Sequence, residues 1–220
     1  KKEFWKNMTN LQKRILTSLV IFPLSFFFVV KGGYFLTFFL IFVLFAGMYE
    51  LFSVFKNKKT ILFLGSLLIL TLFSIYYLRN DRYVSSIFLY WVIILCICSD
   101  IGGYVFGKII GGKKLTKISP NKTIAGSLGS LIFSLLPIFI ISYQIYLPIN
   151  IELNFTNLLL SFVISIICQF GDLLISYFKR LKKTKNTGFF LPGHGGLLDR
   201  IDGIIFVIPS VLLFKFIGLI

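Results

Sequence analysis

The chain has 220 residues, of which 57% are hydrophobic, 18% aromatic and only 14% charged, and it carries a formal net charge of +15. So much apolar surface cannot be hidden inside a water-soluble globule of this size, and lipid is the expected solvent. A soluble helical bundle is excluded by the same apolar runs, which lack the polar face that 3.6-residue spacing would give them.

Crossing a hydrocarbon core of about 30 Å takes roughly 20 helical residues. Residues 1 to 14 are polar and basic, do not read as a cleavable signal peptide, and place Phe4 and Trp5 as interfacial anchors. A short first apolar run, Ile15 to Val30, is broken by Lys31, Gly32 and Gly33, and a second extends from Tyr34 to Phe55. Ile61 to Leu78 make the third, and a fourth starts near Tyr83 and continues into Asp100. After a Gly- and Lys-rich segment, the fifth runs from Ile124 to Leu147, the sixth from Phe155 to Phe178 and the seventh from Ile201 to Ile220. The expected fold is therefore all-α, a polytopic integral membrane bundle of about seven spans. It forms one structural domain, in which residues 1–82 supply the basic arm and N-terminal spans. Residues 83–220, with loops 101–123 and 179–200, carry the candidate chemistry.

Of the 23 basic residues, all but Lys31, Arg79, Arg82 and Lys215 fall in the N-terminal arm and in the loops at 56–59, 108–122 and 179–200. By the positive-inside bias this puts the N-terminus and both glycine-rich loops in the cytoplasm, and an odd number of spans leaves the C-terminus outside. Anionic headgroups and a nucleotide phosphate suit these loops better than nucleic acid does, and no nucleic-acid partner is expected. Cys96, Cys98 and Cys168 all lie inside apolar runs and suggest packing rather than a disulfide framework or zinc.

Ionisable groups at membrane depth are costly unless paired, which singles out Glu50, Asp100, Asp172, Asp199 and Asp202. Gln169, Asp172, Ser176 and Lys179 are spaced three, four and three apart, so they line one face of the sixth span, with Arg180 next to its end. An interhelical hydrogen-bond seam would explain such a stripe, but a seam needs no carboxylate. Asp199 and Asp202 share a face at the start of the last span and frame Arg200. They follow Pro192-Gly193-His194-Gly195-Gly196, a turn able to turn its backbone N–H groups toward an anion, with His194 as a phosphate contact. The earlier loop repeats this vocabulary: Asp100, a run of glycines, Lys113 and Lys114, then Ser119, Lys122 and Thr123 opening a helix. Hard oxygen ligands beside phosphate binders describe a magnesium site, with Asp172 as a ligand.

These blocks resemble the phosphatidate cytidylyltransferases, also called CDP-diacylglycerol synthases. The resemblance is carried by Ser176, Lys179, Arg180 and Lys185, then Pro192-Gly193-His194-Gly195-Gly196, then Asp199-Arg200-Ile201-Asp202. Supporting it are Ser99-Asp100 with Gly102-Gly103-Tyr104, Gly107-Lys108, Ile118-Ser119-Pro120 with Lys122-Thr123, and Gly171-Asp172-Leu173. It covers roughly the C-terminal 60% of the chain. The chain departs from the family's habits at Asn121, Ala125 and Asn186.

The resemblance implies magnesium-dependent transfer of a cytidylyl group from CTP to phosphatidate, giving CDP-diacylglycerol and pyrophosphate, at the cytoplasmic face of a bacterial inner membrane. Asp172, Ser176, Lys179, Arg180, His194, Asp199 and Asp202 are the expected catalytic set, with Asp172 and Asp199 on the metal. Asp100, Lys114, Ser119, Lys122, Thr123, Gly193, Gly195, Gly196 and Arg200 are the expected substrate contacts. A homodimer is compatible with a small polytopic enzyme. The rival readings are a CTP-using transferase acting on another lipid phosphate, a transporter with Asp100 and Asp172 along its path, and a family member that binds nucleotide without turnover.

Overall fold

The computed structural model describes residues 10–81, 86–116, 119–142, 151–184, 187–188 and 195–219. Among them run nine helices: α1 (Asn10–Lys31), α2 (Gly33–Val54), α3 (Lys58–Asn80), α4 (Ser86–Ile109), α5 (Ile124–Phe133), α6 (Leu136–Ser142), α7 (Phe155–Leu181), α8 (Leu198–Ile201) and α9 (Ile204–Phe216). No strand forms among the described residues, and an isolated β-bridge joins Lys114 to Thr123. Four helices are long and apolar enough to cross a membrane, within α2, α3, α4 and α7, and shorter apolar helices lie at 19–31, 124–140 and 204–216. The chain is a polytopic, all-α integral membrane protein.

The sides of α2 differ in residue size rather than in polarity. Phe35, Phe38, Phe42, Phe45, Tyr49 and Phe52, spaced three and four apart, are all more than half exposed, whereas Leu36, Leu40, Val43, Gly47, Glu50 and Leu51 are buried. Large rings face outward because lipid solvates them, and small or branched side chains let neighbouring helices approach. That is why helical amphipathicity is absent from the sequence of this segment.

Breaks between helices follow local chemistry. Gly32 and Gly33, at φ +65° and +52°, turn α1 into α2 through a conformation that side chains disfavour. Arg79 closes this corner, donating from Nε to the Val29 carbonyl at 2.7 Å and from Nη2 to that of Val30 at 2.8 Å. The fifth apolar run is not one helix, as its length suggested, but α5 and α6 separated at Ser134 and Leu135. Pro137 has no N–H for the carbonyl at position 133 and its ring crowds that carbonyl, so the helix restarts with Pro137 in its first turn. The last span likewise opens with the single turn of α8, then a bend at Asp202 and Gly203 before α9.

Two ends of the bundle can be told apart by their polar groups. At one end Lys215 pairs with Asp81 and lies over the Tyr77 ring, while Tyr90 donates to the Phe26 carbonyl. At the other, the ends of α2, α4 and α7 meet the starts of α5 and α8, bringing Glu50, Asp100, Asp172, Lys179 and Asp199 to the same end of the bundle. Between the ends, Ser99 and Ser165 link α4 to α7 at 2.8 Å, and the Thr71 hydroxyl donates to the Ile205 carbonyl at 2.8 Å.

Helices α4 and α5 pack closely, and glycine makes it so. A Cβ on Gly126 would sit 2.7 Å from the Gly103 carbonyl oxygen, and one on Gly102 would overlap both the Gly129 carbonyl and Phe133. Gly102→Ala therefore forces backbones apart and should cost about 1–3 kcal/mol, the usual penalty for overpacking. Thermal unfolding of the purified variant in detergent measures this; an unchanged midpoint would mean that the two backbones do not touch there.

Candidate active site

The polar stripe of α7 persists in three dimensions, and each member finds a different partner. Gln169 accepts from the Ser127 hydroxyl of α5 at 2.6 Å. One turn on, Asp172 forms an ion pair with Lys122 and receives a long contact of 3.5 Å from Ser176. Lys179, 8% exposed, donates to Asp199 Oδ1 at 2.9 Å and lies 4.0 Å from Asp202 Oδ2. Arg180 points away from this stripe, is exposed, and donates to the Thr184 carbonyl at 3.3 Å.

Asp199 is almost fully engaged by the protein. Its Oδ1 takes Lys179, and its Oδ2 accepts the backbone amides of Thr187 at 2.8 Å and Gly196 at 3.0 Å. The carboxylate that meets Asp172 is that of Asp202, in the bend ahead of α9. Lys179, whose Nζ lies 4.0 Å from Asp202 Oδ2, supplies positive charge beside these two carboxylates. Asp100 stands close to both carboxylates, with Lys122 and Arg200 supplying positive charge near it.

The loop after α4 folds back on itself. Leu115 donates to the Lys122 carbonyl at 2.8 Å and Ile124 to that of Lys113 at 3.0 Å, which holds Lys122 at the mouth of a cavity. Thr123 caps α5, its hydroxyl oxygen accepting the Gly126 amide at 3.0 Å. The cavity, about 330 Å³, is lined by Asp100, Tyr104, Ser119, Asn121, Lys122, Thr123, Ser127, Ser130, Gln169 and Asp172, with the α4 and α5 glycines between them. That volume suits part or all of a small phosphorylated ligand.

Of the residues expected from the sequence, Asp100, Ser119, Lys122, Thr123 and Asp172 share this cavity; Ser176 and Lys179 follow Asp172 along α7, and Lys179 meets Asp199 and Asp202. Lys114 is exposed on the folded-back loop, and Arg200 is exposed near Asp100. Gly195 adopts φ +92°, and Gly196 is buried against Glu50 and Thr187. Gly193 and His194, like Pro192, Lys185 and Asn186, lie outside the described residues. Three contributors went unread in the sequence. Ser127 and Ser130 carry a signal, small hydroxyls three apart among glycines, whereas Thr187 carries none.

Residues 56–217 match the family model described as the cytidylyltransferase family. The chain belongs to that family. Similar relatives named phosphatidate cytidylyltransferase occur in Staphylococcus haemolyticus, 46% identical over 112 residues, covering 50% of this chain and 42% of the relative. The protein of that name from Staphylococcus saprophyticus is 39% identical over 134 residues, 60% of this chain and 50% of the relative. A third, from Helicobacter pylori, is 38% identical over 117 residues, 53% of this chain and 42% of the relative. The chain thus spans about half the length of the curated relatives it matches.

Within this member of the cytidylyltransferase family, Asp199 and Lys179 form a largely buried pair, their side chains 8% and 10% exposed. Removing one partner strands the other, at a cost of about 3–5 kcal/mol. Asp199→Ala should lower the thermal midpoint sharply, and adding Lys179→Met should recover part of the loss. A double variant as unstable as the sum of the singles would mean that the two groups act independently.

Proposed function

We propose that the chain transfers a cytidylyl group from CTP to phosphatidate, releasing pyrophosphate and forming CDP-diacylglycerol. The observation that carries this reading is the cluster of Asp100, Asp172 and Asp202 interleaved with Lys122 and Lys179 at one end of an apolar bundle. A water-soluble triphosphate and a lipid phosphate can meet only at such an interface. Membership of the cytidylyltransferase family and the names of its relatives support the same reaction. The weight of basic residues in the loops supports a site facing the cytoplasm, in the inner membrane of a bacterium.

In this reaction an oxygen of the phosphatidate phosphate attacks the α-phosphorus of CTP, a new P–O bond forms, and the bond from the α-phosphorus to the bridging oxygen breaks as pyrophosphate leaves. No protein nucleophile is required. Two anions must be held together, so fixed positive charge and orientation are what the protein supplies. Lys122, at the cavity mouth, would bind phosphate oxygens, with the Ser119 hydroxyl and the first turn of α5 beside it. Lys179 is held by Asp199 and Asp202, so its charge is already in place before substrate arrives.

Among the described residues no three His, Cys, Asp or Glu side chains converge to enclose a metal. Magnesium commonly takes one or two carboxylates and completes its shell with water and substrate phosphate, and the approach of Asp172 to Asp202 fits that demand. Asp172 and Asp202 would hold the ion, with Asp100 near them, while Asp199 serves the loop instead. Bound there, magnesium would offset charge on the phosphate oxygens as pyrophosphate departs.

Pyrophosphate release by the purified chain tests this directly. Release should require CTP, phosphatidate and magnesium together. Asp172→Asn and Asp202→Asn should each lower kcat at least about 100-fold, and Lys122→Ala should raise the KM for a phosphate substrate about ten-fold. Folded protein that binds CTP but releases nothing would refute the transfer. Release with a polyprenyl phosphate and none with phosphatidate would reassign the acceptor.

A further inference from the structure

Glu50 lies on α2, ahead of the residues matched to the family, yet it is 2% exposed and its carboxylate reaches the segment that leads into α8, which carries Asp199. Its Oε1 accepts the Leu197 amide at 2.7 Å; its Oε2 accepts the Leu198 amide at 3.0 Å and the Thr187 hydroxyl at 3.4 Å. Two described segments, 187–188 and 196–198, thus close on one side chain. Glycine leaves the room: a Cβ on Gly196 would lie 2.7 Å from Oε2, and one on Gly188 would lie 3.0 Å from Oε1. Gly47, one turn earlier on α2, brings the helix within reach of the Leu198 side chain.

The chemistry demands a carboxylate. Two backbone N–H groups and a hydroxyl all donate to the same group, which must therefore accept at both ends. Glutamine would turn an NH2 toward one of the amides, and an apolar residue would strand both. Asp199 takes its own amide bonds from Thr187 and Gly196, so the two carboxylates grip the same two segments, and Asp199 then offers its other oxygen to Lys179.

We propose that Glu50 is a positioning residue for the transfer proposed above. It fixes residues 187–188 and 196–198 against each other, which sets Asp199 against Lys179 and brings Asp202 to Asp172. The inference rests on that functional reading for its kinetic consequence and on the hydrogen bonds alone for its structural one. It also makes the N-terminal spans part of the site rather than only its anchor.

The test uses the full chain in lipid nanodiscs as wild type, Glu50→Gln, Glu50→Ala and Thr71→Ala. Hydrogen exchange is followed in peptides spanning residues 195–203, and kcat and KM are measured for CTP. Glu50→Gln should exchange about ten-fold faster at Leu197 and Leu198. Its kcat should fall about ten-fold with the KM for CTP nearly constant, and Glu50→Ala should lose about 100-fold. Thr71→Ala, which removes the bond to Ile205, should lower the melting temperature without altering exchange at Leu197 and Leu198 or kcat. Folded Glu50 variants with unchanged exchange would overturn the proposal, and so would faster exchange with unchanged kcat, which would reduce Glu50 to a structural cap. If the wild type turns over no CTP, the transfer reading fails by itself, and the exchange data still decide whether Glu50 fixes the turn.

Discussion

A lysine ammonium placed on an apolar helix is stable only if acceptors are built around it, and the polar end of this bundle is arranged around that requirement. Lys179 emerges from α7 with little access to water, so Asp199 must stand within hydrogen-bond reach and Asp202 close behind. Asp199 can stand there only because the turn before α8 donates two amides to its second oxygen. That segment in turn needs Glu50, separated from it in sequence by the five helices α3 to α7, to accept the amides that remain. Charge, turn and distant carboxylate therefore form one connected unit, in which the desolvation of each group is offset by the next.

The second constraint is backbone proximity. The glycines of α4 and α5 let two helices approach until carbonyl oxygens sit where side chains would otherwise be. This places the folded-back loop and Lys122 directly over Asp172 of α7. The cavity is consequently walled by three helices, α4, α5 and α7, while its lysine comes from the loop that folds back before α5.

The cytidylyltransferase family model matches residues 56–217, whereas α1 and α2 lie ahead of that match. The aromatic stripe of α2 belongs to the lipid boundary, but the opposite side of the same helix belongs to the site. A single helix thus solves two problems with two faces that hydropathy cannot distinguish, since phenylalanine and leucine are equally at home in lipid.

The sequence by itself determined the solvent and the fold class, because 57% hydrophobic residues in long runs admit no aqueous core. It also determined the polar stripe from Gln169 to Lys179, since helical periodicity converts spacing into a shared face whatever the tertiary packing. The split of the fifth run at Ser134 was legible in principle at Pro137, where a missing N–H is a local fact. What the tertiary structure alone decided is which carboxylate serves which role. Asp199 and Asp202 are equivalent in spacing, yet the turn's amides claim Asp199 and leave Asp202 to face Asp172. Nor could sequence assign Glu50 a partner, because its donors are backbone amides, which every residue carries, brought to it from 147 and 148 positions away.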